Sequence, residues 1–335
     1  RGAVSRHGLV RGEKGARMSG VKLVGTGSAL PARRVTNDDM ARMVDTSDEW
    51  ISERTGIRER RFLDEDSLDG HFDLAATAAR RALDAAGIDP QQAGVCLVAT
   101  FTAQTATPSV ACRLQADLGL PQDAFCLDIN AACAGFVYGM HVAQCLLPTA
   151  RSPYALVVGA EALSRVLDFT DRTTCVLFGD GAGAAVLRYQ EDAPSLGCVW
   201  GSRGDAESLW VPGVSSSAPS YLHMDGRAVF RFATSVLPAC AQEVLDRAGL
   251  AVDQVDRYVF HQANQRIIDV VVKKLGADPA RCRGNIADVG NTSAASVPLL
   301  LDQLVRSGEL AGGQRAMCLG FGAGLTWAGA LIELA

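Results

Sequence analysis

The sequence predicts an α/β protein made of two similar halves. Apolar strand-like runs alternate with helix-period stretches along the chain, the pattern of sheets covered by helices. The second half echoes the first: Arg257 to Phe260 is a strand before a loop, as Cys96 to Ala99 is, and glycine-rich Leu319 to Leu325 repeats the character of Phe178 to Gly183. At 48% hydrophobic with 34 glycines, the composition supports a large core and much tightly turned backbone. The halves read as 18–190 and 191–335, with basic, polar residues 1–17 set aside as a tag or leader before Met18. Strand–helix alternation implies mostly parallel sheets.

In order, Val21 to Gly25 reads as a strand and Gly25 to Ser28 as a turn; Asn37 caps a helix reaching Met43. The segment Arg54 to Arg61 is either a solvated basic surface or an anion clamp. Helices are expected over Leu74–Ala86, stopped by Gly87, and over Ser109–Leu118, with strands at Val95–Thr100, Ala124–Ile129 and Tyr154–Gly159. The second half offers helices from about Asn264 to Leu275 and Ala294 to Val305. Gly181-Ala182-Gly183 runs into the strand-like Ala184 to Leu187 rather than a helix, which rules out a dinucleotide fingerprint.

A net charge of −5 argues against a general nucleic-acid binder. Ten cysteines lie scattered without paired metal-ligand spacing, which predicts free thiols in a reducing, cytoplasmic setting and no metal site. No run of about 18 apolar residues suggests a membrane span.

The chemistry concentrates in three short contexts. Cys133 stands between the strand ending at Ile129 and a helical pattern carrying Phe136, Val137 and Met140. At a helix's first turn the dipole favours a thiolate and lowers a cysteine pKa from about 8.5 towards neutrality. His261 can exchange a proton near neutral pH, and Asn291 offers an uncharged N–H donor. Together they suit acyl chemistry, in which a thiol attacks a thioester and two donors hold an oxyanion.

Ala131-Ala132-Cys133-Ala134-Gly135-Phe136, His261-Gln262-Ala263-Asn264 and Gly290-Asn291-Thr292-Ser293-Ala294-Ala295-Ser296 resemble motifs of β-ketoacyl-acyl-carrier-protein synthase III. So do Asp48-Glu49-Trp50-Ile51 and Phe178-Gly179-Asp180-Gly181-Ala182-Gly183. The resemblance implies a thiolase-like fold, with duplicated halves in five α/β/α/β/α layers, and a homodimer. It implies an acyltransferase that starts type II fatty-acid synthesis: acyl-CoA loads Cys133, and malonyl-acyl carrier protein then condenses with loss of carbon dioxide. Acyl-CoA is a substrate, and no cofactor is expected.

Residue by residue, the resemblance gives the oxyanion hole to the amides of Cys133 and Ala323 and the CoA contacts to Trp50, Arg54, Arg172 and Asn264. Phe321 falls beside the reacting cysteine. Thr107 falls where acetyl-specific members place a phenylalanine reaching the partner's acyl pocket, so longer primers are expected. Arg231, Arg266, Lys273 and Lys274 match a basic carrier-protein dock. Ala323 replaces a glycine of some members, at a strain cost if its φ must be positive. The alternatives are a starter-unit synthase of a polyketide or other specialised pathway, a catalytically dead scaffold on the same fold, and, remotely, a papain-like cysteine hydrolase.

Overall fold

Val95 to Val98 are apolar on both faces and fully buried, so they build the interior of a sheet. The computed structural model describes residues 20–191, 193, 195–213 and 221–335; the leader assigned to 1–17 lies outside them. The first sheet contains β1 (Gly20–Ala29), β2 (Ala93–Ala99), β3 (Phe125–Ile129), β4 (Tyr154–Glu161) and β5 (Gly181–Gln190), in the order β1-β5-β4-β2-β3. The second contains β6 (Val199–Asp205), β7 (Arg257–Phe260), β8 (Arg315–Gly322) and β9 (Gly324–Glu333), in the order β7-β8-β9-β6.

Helices α1 (Gly70–Ala86) and α2 (Val110–Leu118) cover the outer face of the first sheet, α3 (Gly135–Leu146) and α6 (Ser296–Arg306) lie between the sheets, and α4 (Gly226–Ala248) and α5 (Gln265–Leu275) cover the second. Five α/β/α/β/α layers result. The central core joins Leu97 and Val157, Phe136 and Met140, Leu300 and Leu304, and Val259 and Cys318. No helix among the described residues is long and apolar enough to cross a membrane.

Two expectations are corrected. The sheets are mixed rather than mostly parallel: β2 pairs in parallel with β3 and β4, and β7 with β8, whereas β1–β5, β4–β5, β8–β9 and β9–β6 are antiparallel. A parallel pair needs a long crossover, and β8 reaches β9 through Ala323 alone, so only antiparallel pairing closes. Gly25 to Ser28 is no turn but the continuation of β1. A Cβ on Gly25 would sit 2.4 Å from the Ala82 carbonyl oxygen and one on Gly27 2.4 Å from that of Ala78, so these glycines let α1 approach the strand. The helix α4, which contains Pro238, is an element the sequence reading did not identify.

Candidate active site

Cys133 sits in a single 3₁₀ turn (Ala132–Ala134) between β3 and α3 rather than within the helix itself. Ala132 has φ 46° and its N–H donates to the Asn130 side chain at 3.2 Å. The turn lies so close to β8 that a Cβ on Gly322 would stand 2.6 Å from the Cys133 nitrogen. The residue is 7% exposed. Burial pushes its thiol up to about 12; the Ser293 hydroxyl, 3.2 Å from the sulfur, acts in the opposite direction, and Glu161 adds to the rise. The expectation of a lowered thiol pKa is therefore corrected: desolvation outweighs the helix terminus.

His261 follows β7, and its N–H donates to the Leu319 carbonyl at 2.7 Å. Burial lowers its imidazole to about 3, so the ring is neutral and offers one donor and one acceptor nitrogen instead of cycling through a cation. It packs edge-on against Phe321, with centroids 5.2 Å apart. Gln262 anchors the segment by accepting the Asn285 N–H at 3.1 Å and donating to the Phe260 carbonyl at 2.8 Å. Asn291 is tied to the first half, its N–H donating to the Leu177 carbonyl at 2.9 Å. Its Oδ1 accepts the Ser293 N–H at 2.9 Å, which leaves the amide nitrogen as the group free to donate.

Cys133, His261, Asn291 and Phe321 line one cavity of about 220 Å³, whose outer wall includes Trp50, Arg54 and Asn264. A second cavity, about 490 Å³, also reaches Cys133 and is walled by Phe101, Phe178, Leu209, Trp210 and Ala323. The thiol thus stands where two spaces join. Ala323 does not take a positive φ; the neighbouring Gly324 does, at 127°, so the feared strain at alanine is absent. The Thr326 hydroxyl lies 2.9 Å from the Ala131 carbonyl and 3.1 Å from that of Ala323, bracing the two turns against each other.

Trp50 is flanked by two guanidinium groups, Arg54 at 4.7 Å and Arg172 at 5.3 Å from the ring centre. Arg172 also donates to Asp45. Asn264 caps α5 by accepting the Arg266 N–H at 2.9 Å and donates to the Arg54 carbonyl at 3.0 Å, so it fixes the cavity mouth as well as lining it. Within the basic segment, Arg60 is fully buried and donates to Asn37 and the Val176 carbonyl, which makes it a loop brace and not a surface clamp. Arg231, Arg266 and Lys273 are exposed, and no carboxylate among the described residues pairs with them. Lys274 is tied back to the Thr234 carbonyl at 2.8 Å. Thr107 is exposed and lines neither cavity of its own chain.

Sequence reasoning gave no role to Ser293, Thr326, Glu161 or, in the wall of the larger cavity, Phe101, Leu209 and Trp210. Glu161 carried the plainest signal, a carboxylic acid closing the apolar run Tyr154 to Ala160. All ten cysteines are free, and no group of three metal-ligating side chains occurs among the described residues.

Residues 127–204 match the family model described as 3-oxoacyl-[acyl-carrier-protein (ACP)] synthase III, and residues 245–334 match the model of its C-terminal part. The β-ketoacyl-[acyl-carrier-protein] synthase III of Sphingopyxis alaskensis is 46% identical over 319 residues, covering 93% of this chain and 98% of the relative. The crystal structure of the 3-oxoacyl-(acyl carrier protein) synthase III of Pseudomonas aeruginosa PAO1 superposes with a TM-score of 0.87 at 40% identity, covering 94% of this chain and 98% of that one. The priming β-ketosynthase of the R1128 polyketide pathway gives 0.89 at 39% identity, covering 96% and 98%. With its thiolase-like layers, this chain belongs to the β-ketoacyl-[acyl-carrier-protein] synthase III family, the acyltransferases of the condensation that initiates fatty-acid synthesis.

Proposed function

We propose that Cys133 is the nucleophile of a two-step transfer from acyl-CoA to malonyl-acyl carrier protein, with His261 and Asn291 acting on the malonyl group. The observation that carries this reading is the shared cavity of Cys133, His261 and Asn291, opening beside Trp50. In the first step the sulfur attacks the acyl-CoA carbonyl, the bond to the CoA sulfur breaks, and the thiol proton leaves with CoA. The amides of Cys133 and Ala323 are the donors for the transient oxyanion. In the second step the malonyl thioester loses carbon dioxide, and the neutral His261 ring and the Asn291 amide hold the enolate oxygen. The carbanion attacks the acyl-cysteine carbonyl, the carbon–sulfur bond breaks, and the Cys133 thiolate takes a proton from water, leaving a 3-oxoacyl thioester.

Trp50 supplies an aromatic face for the adenine, with Arg54 and Arg172 for phosphates, and the place of Asn264 in the cavity wall beside Trp50 supports a pantetheine contact. The larger cavity at Cys133 leaves room for primers longer than acetyl, and the exposed Thr107, which lines neither cavity of its own chain, is small enough to leave a partner's acyl pocket open. The edge strand β3 exposes Phe125 (47%) and Leu127 (43%), which supports a homodimer built on that edge. Free cysteines support a cytoplasmic setting.

Intact-mass analysis after exposure to a panel of acyl-CoAs tests the reading. The expected result is one acyl group, on Cys133, with butyryl or longer chains competing against acetyl, and a 3-oxoacyl product when malonyl-carrier protein follows. Hydrolysis without condensation overturns it, and strict acetyl preference refutes the long-primer part. Arg266→Glu should raise the KM for malonyl-carrier protein about three- to tenfold while leaving acyl-cysteine formation unchanged, because a rim charge acts on encounter. An unchanged KM removes Arg266 from the dock.

A further inference from the structure

A buried carboxyl group that the two-step scheme leaves unused stands one hydroxyl away from the nucleophile. Glu161, at the end of β4, is 0% exposed. Its two oxygens are unequally placed. Oε2 faces three donors: the Thr102 hydroxyl, the Thr100 hydroxyl at 3.4 Å and the Phe101 N–H at 3.4 Å. Oε1 faces only the Ser293 hydroxyl, at 3.3 Å, and the same hydroxyl lies 3.2 Å from the Cys133 sulfur. Ser293 has one hydrogen to give, so it donates either to the carboxyl group or to the sulfur. The backbone secures this choice: Ser293 takes φ 50°, unusual for a residue with a side chain, and its N–H is held by Asn291.

We propose that Glu161 is a positioning residue, held as the neutral acid with its proton on Oε1, that turns the Ser293 hydroxyl into a donor aimed at the Cys133 sulfur. This rests on the reading of Cys133 as the nucleophile. The proton belongs on Oε1 because Oε2 already receives three donors. Ser293 then accepts from Glu161 and gives its own hydrogen to sulfur, which stabilises developing thiolate charge.

The surroundings favour the neutral form. From α1, the His71 ring lies 3.0 Å from the Thr100 hydroxyl and 3.1 Å from the Ala160 carbonyl, so its Nε2 carries a hydrogen, and burial keeps the ring uncharged. From β5, the residue paired with Glu161 is Gly181, and the Cys133 thiol is the remaining titratable neighbour among the described residues. No cation among the described residues faces the carboxyl group, and burial raises it to about 8. Above that pH the carboxylate draws the Ser293 hydrogen to itself and places a negative charge beside the sulfur.

The test is the alkylation rate of Cys133 by iodoacetamide, located by peptide mass spectrometry, over roughly pH 6 to 10. In the native chain the rate should rise with pH and flatten above about 8. Glu161→Gln keeps a donor for Ser293 and an acceptor for the threonines without the charge. It should abolish the flattening and react about tenfold faster than the native chain at alkaline pH. Glu161→Leu supplies no donor and should react about tenfold slower than Glu161→Gln near neutrality. In a Ser293→Ala background, Glu161→Gln and Glu161→Leu should react within about twofold of each other near neutrality, because the hydroxyl through which they differ is gone.

The exposed Cys112 and Cys145 report on folding, since their rates should not move. Equal losses in the Gln and Leu variants, a retained flattening in Glu161→Gln, or an undiminished difference between Gln and Leu in the Ser293→Ala background would each overturn the proposal. Acyl-CoA loading is read separately. A Cys133 whose alkylation profile shifts as expected but which never takes an acyl group supports the positioning role and overturns the transfer reading.

Discussion

Cys133→Ala should leave the protein folded, gain no mass on exposure to acyl-CoA, and condense at least about a thousandfold more slowly than the native chain. The side chain removed is one sulfur at the junction of two cavities, and alanine fits where cysteine did. His261 and Asn291 remain in place, so malonyl-carrier protein should still lose carbon dioxide and, with a proton from water, give the acetyl thioester. Acyl-enzyme formation and decarboxylation thereby separate in one variant. The pH dependence follows from burial. A thiol raised to about 12 and an imidazole lowered to about 3 give a neutral pair in the resting protein, not a thiolate–imidazolium couple. Across pH 6 to 8 the thiolate fraction therefore grows about tenfold per pH unit, and acylation of the native chain should accelerate with it. A plateau at acid pH would mean that the pair is already ionised, as a papain-like hydrolase requires, and would overturn the assignment. Acylation persisting in Cys133→Ala would place the nucleophile on another of the cysteines.

The strand and helix segments were legible where hydrophobic period and punctuation agreed. Arg257 to Phe260 is a strand as read, and α1 ends at Gly87 as its positive φ demands. Asn264 does begin a helix, as its cap. Pattern could not distinguish a glycine that turns the chain from one that admits a helix, and Gly25 and Gly27 were misread for that reason. Strand direction was equally illegible, since it depends on which linkers lack a crossover helix. In α4, Pro238 interrupts an otherwise helical stretch, and the surrounding packing overrides its local cost. The three candidate residues Cys133, His261 and Asn291 could be named because each sits in a short, distinctive context. Their electrostatics could not be, because a pKa reflects how deeply the fold buries a group, and the same cysteine at an open helix terminus would shift the other way. Ser293 lay inside a recognised motif without a role, since only the fold brings its hydroxyl between Cys133 and Glu161.

Asn291→Asp should keep acyl-cysteine formation within about threefold of native and lower condensation about a hundred- to a thousandfold, the cost of losing one donor to a developing oxyanion. Aspartate is the informative change because Asn291 has two separate tasks. Its Oδ1 accepts the Ser293 N–H, and its amide nitrogen is left to face the cavity. Aspartate retains the acceptor, so Ser293 stays aimed at the sulfur. It replaces the donor with an oxygen that repels the enolate and the malonyl carboxylate. Asn291→Ala removes both functions and leaves a buried N–H unsatisfied, at about 1–3 kcal/mol. It should therefore impair acylation as well as condensation. The difference between the two variants measures the buttress, and the loss they share measures the donor. Single-turnover measurements of each half-reaction distinguish them. If Asn291→Asp blocks acyl-cysteine formation as strongly as condensation, Asn291 acts in the first step and the division of labour proposed for the site is wrong.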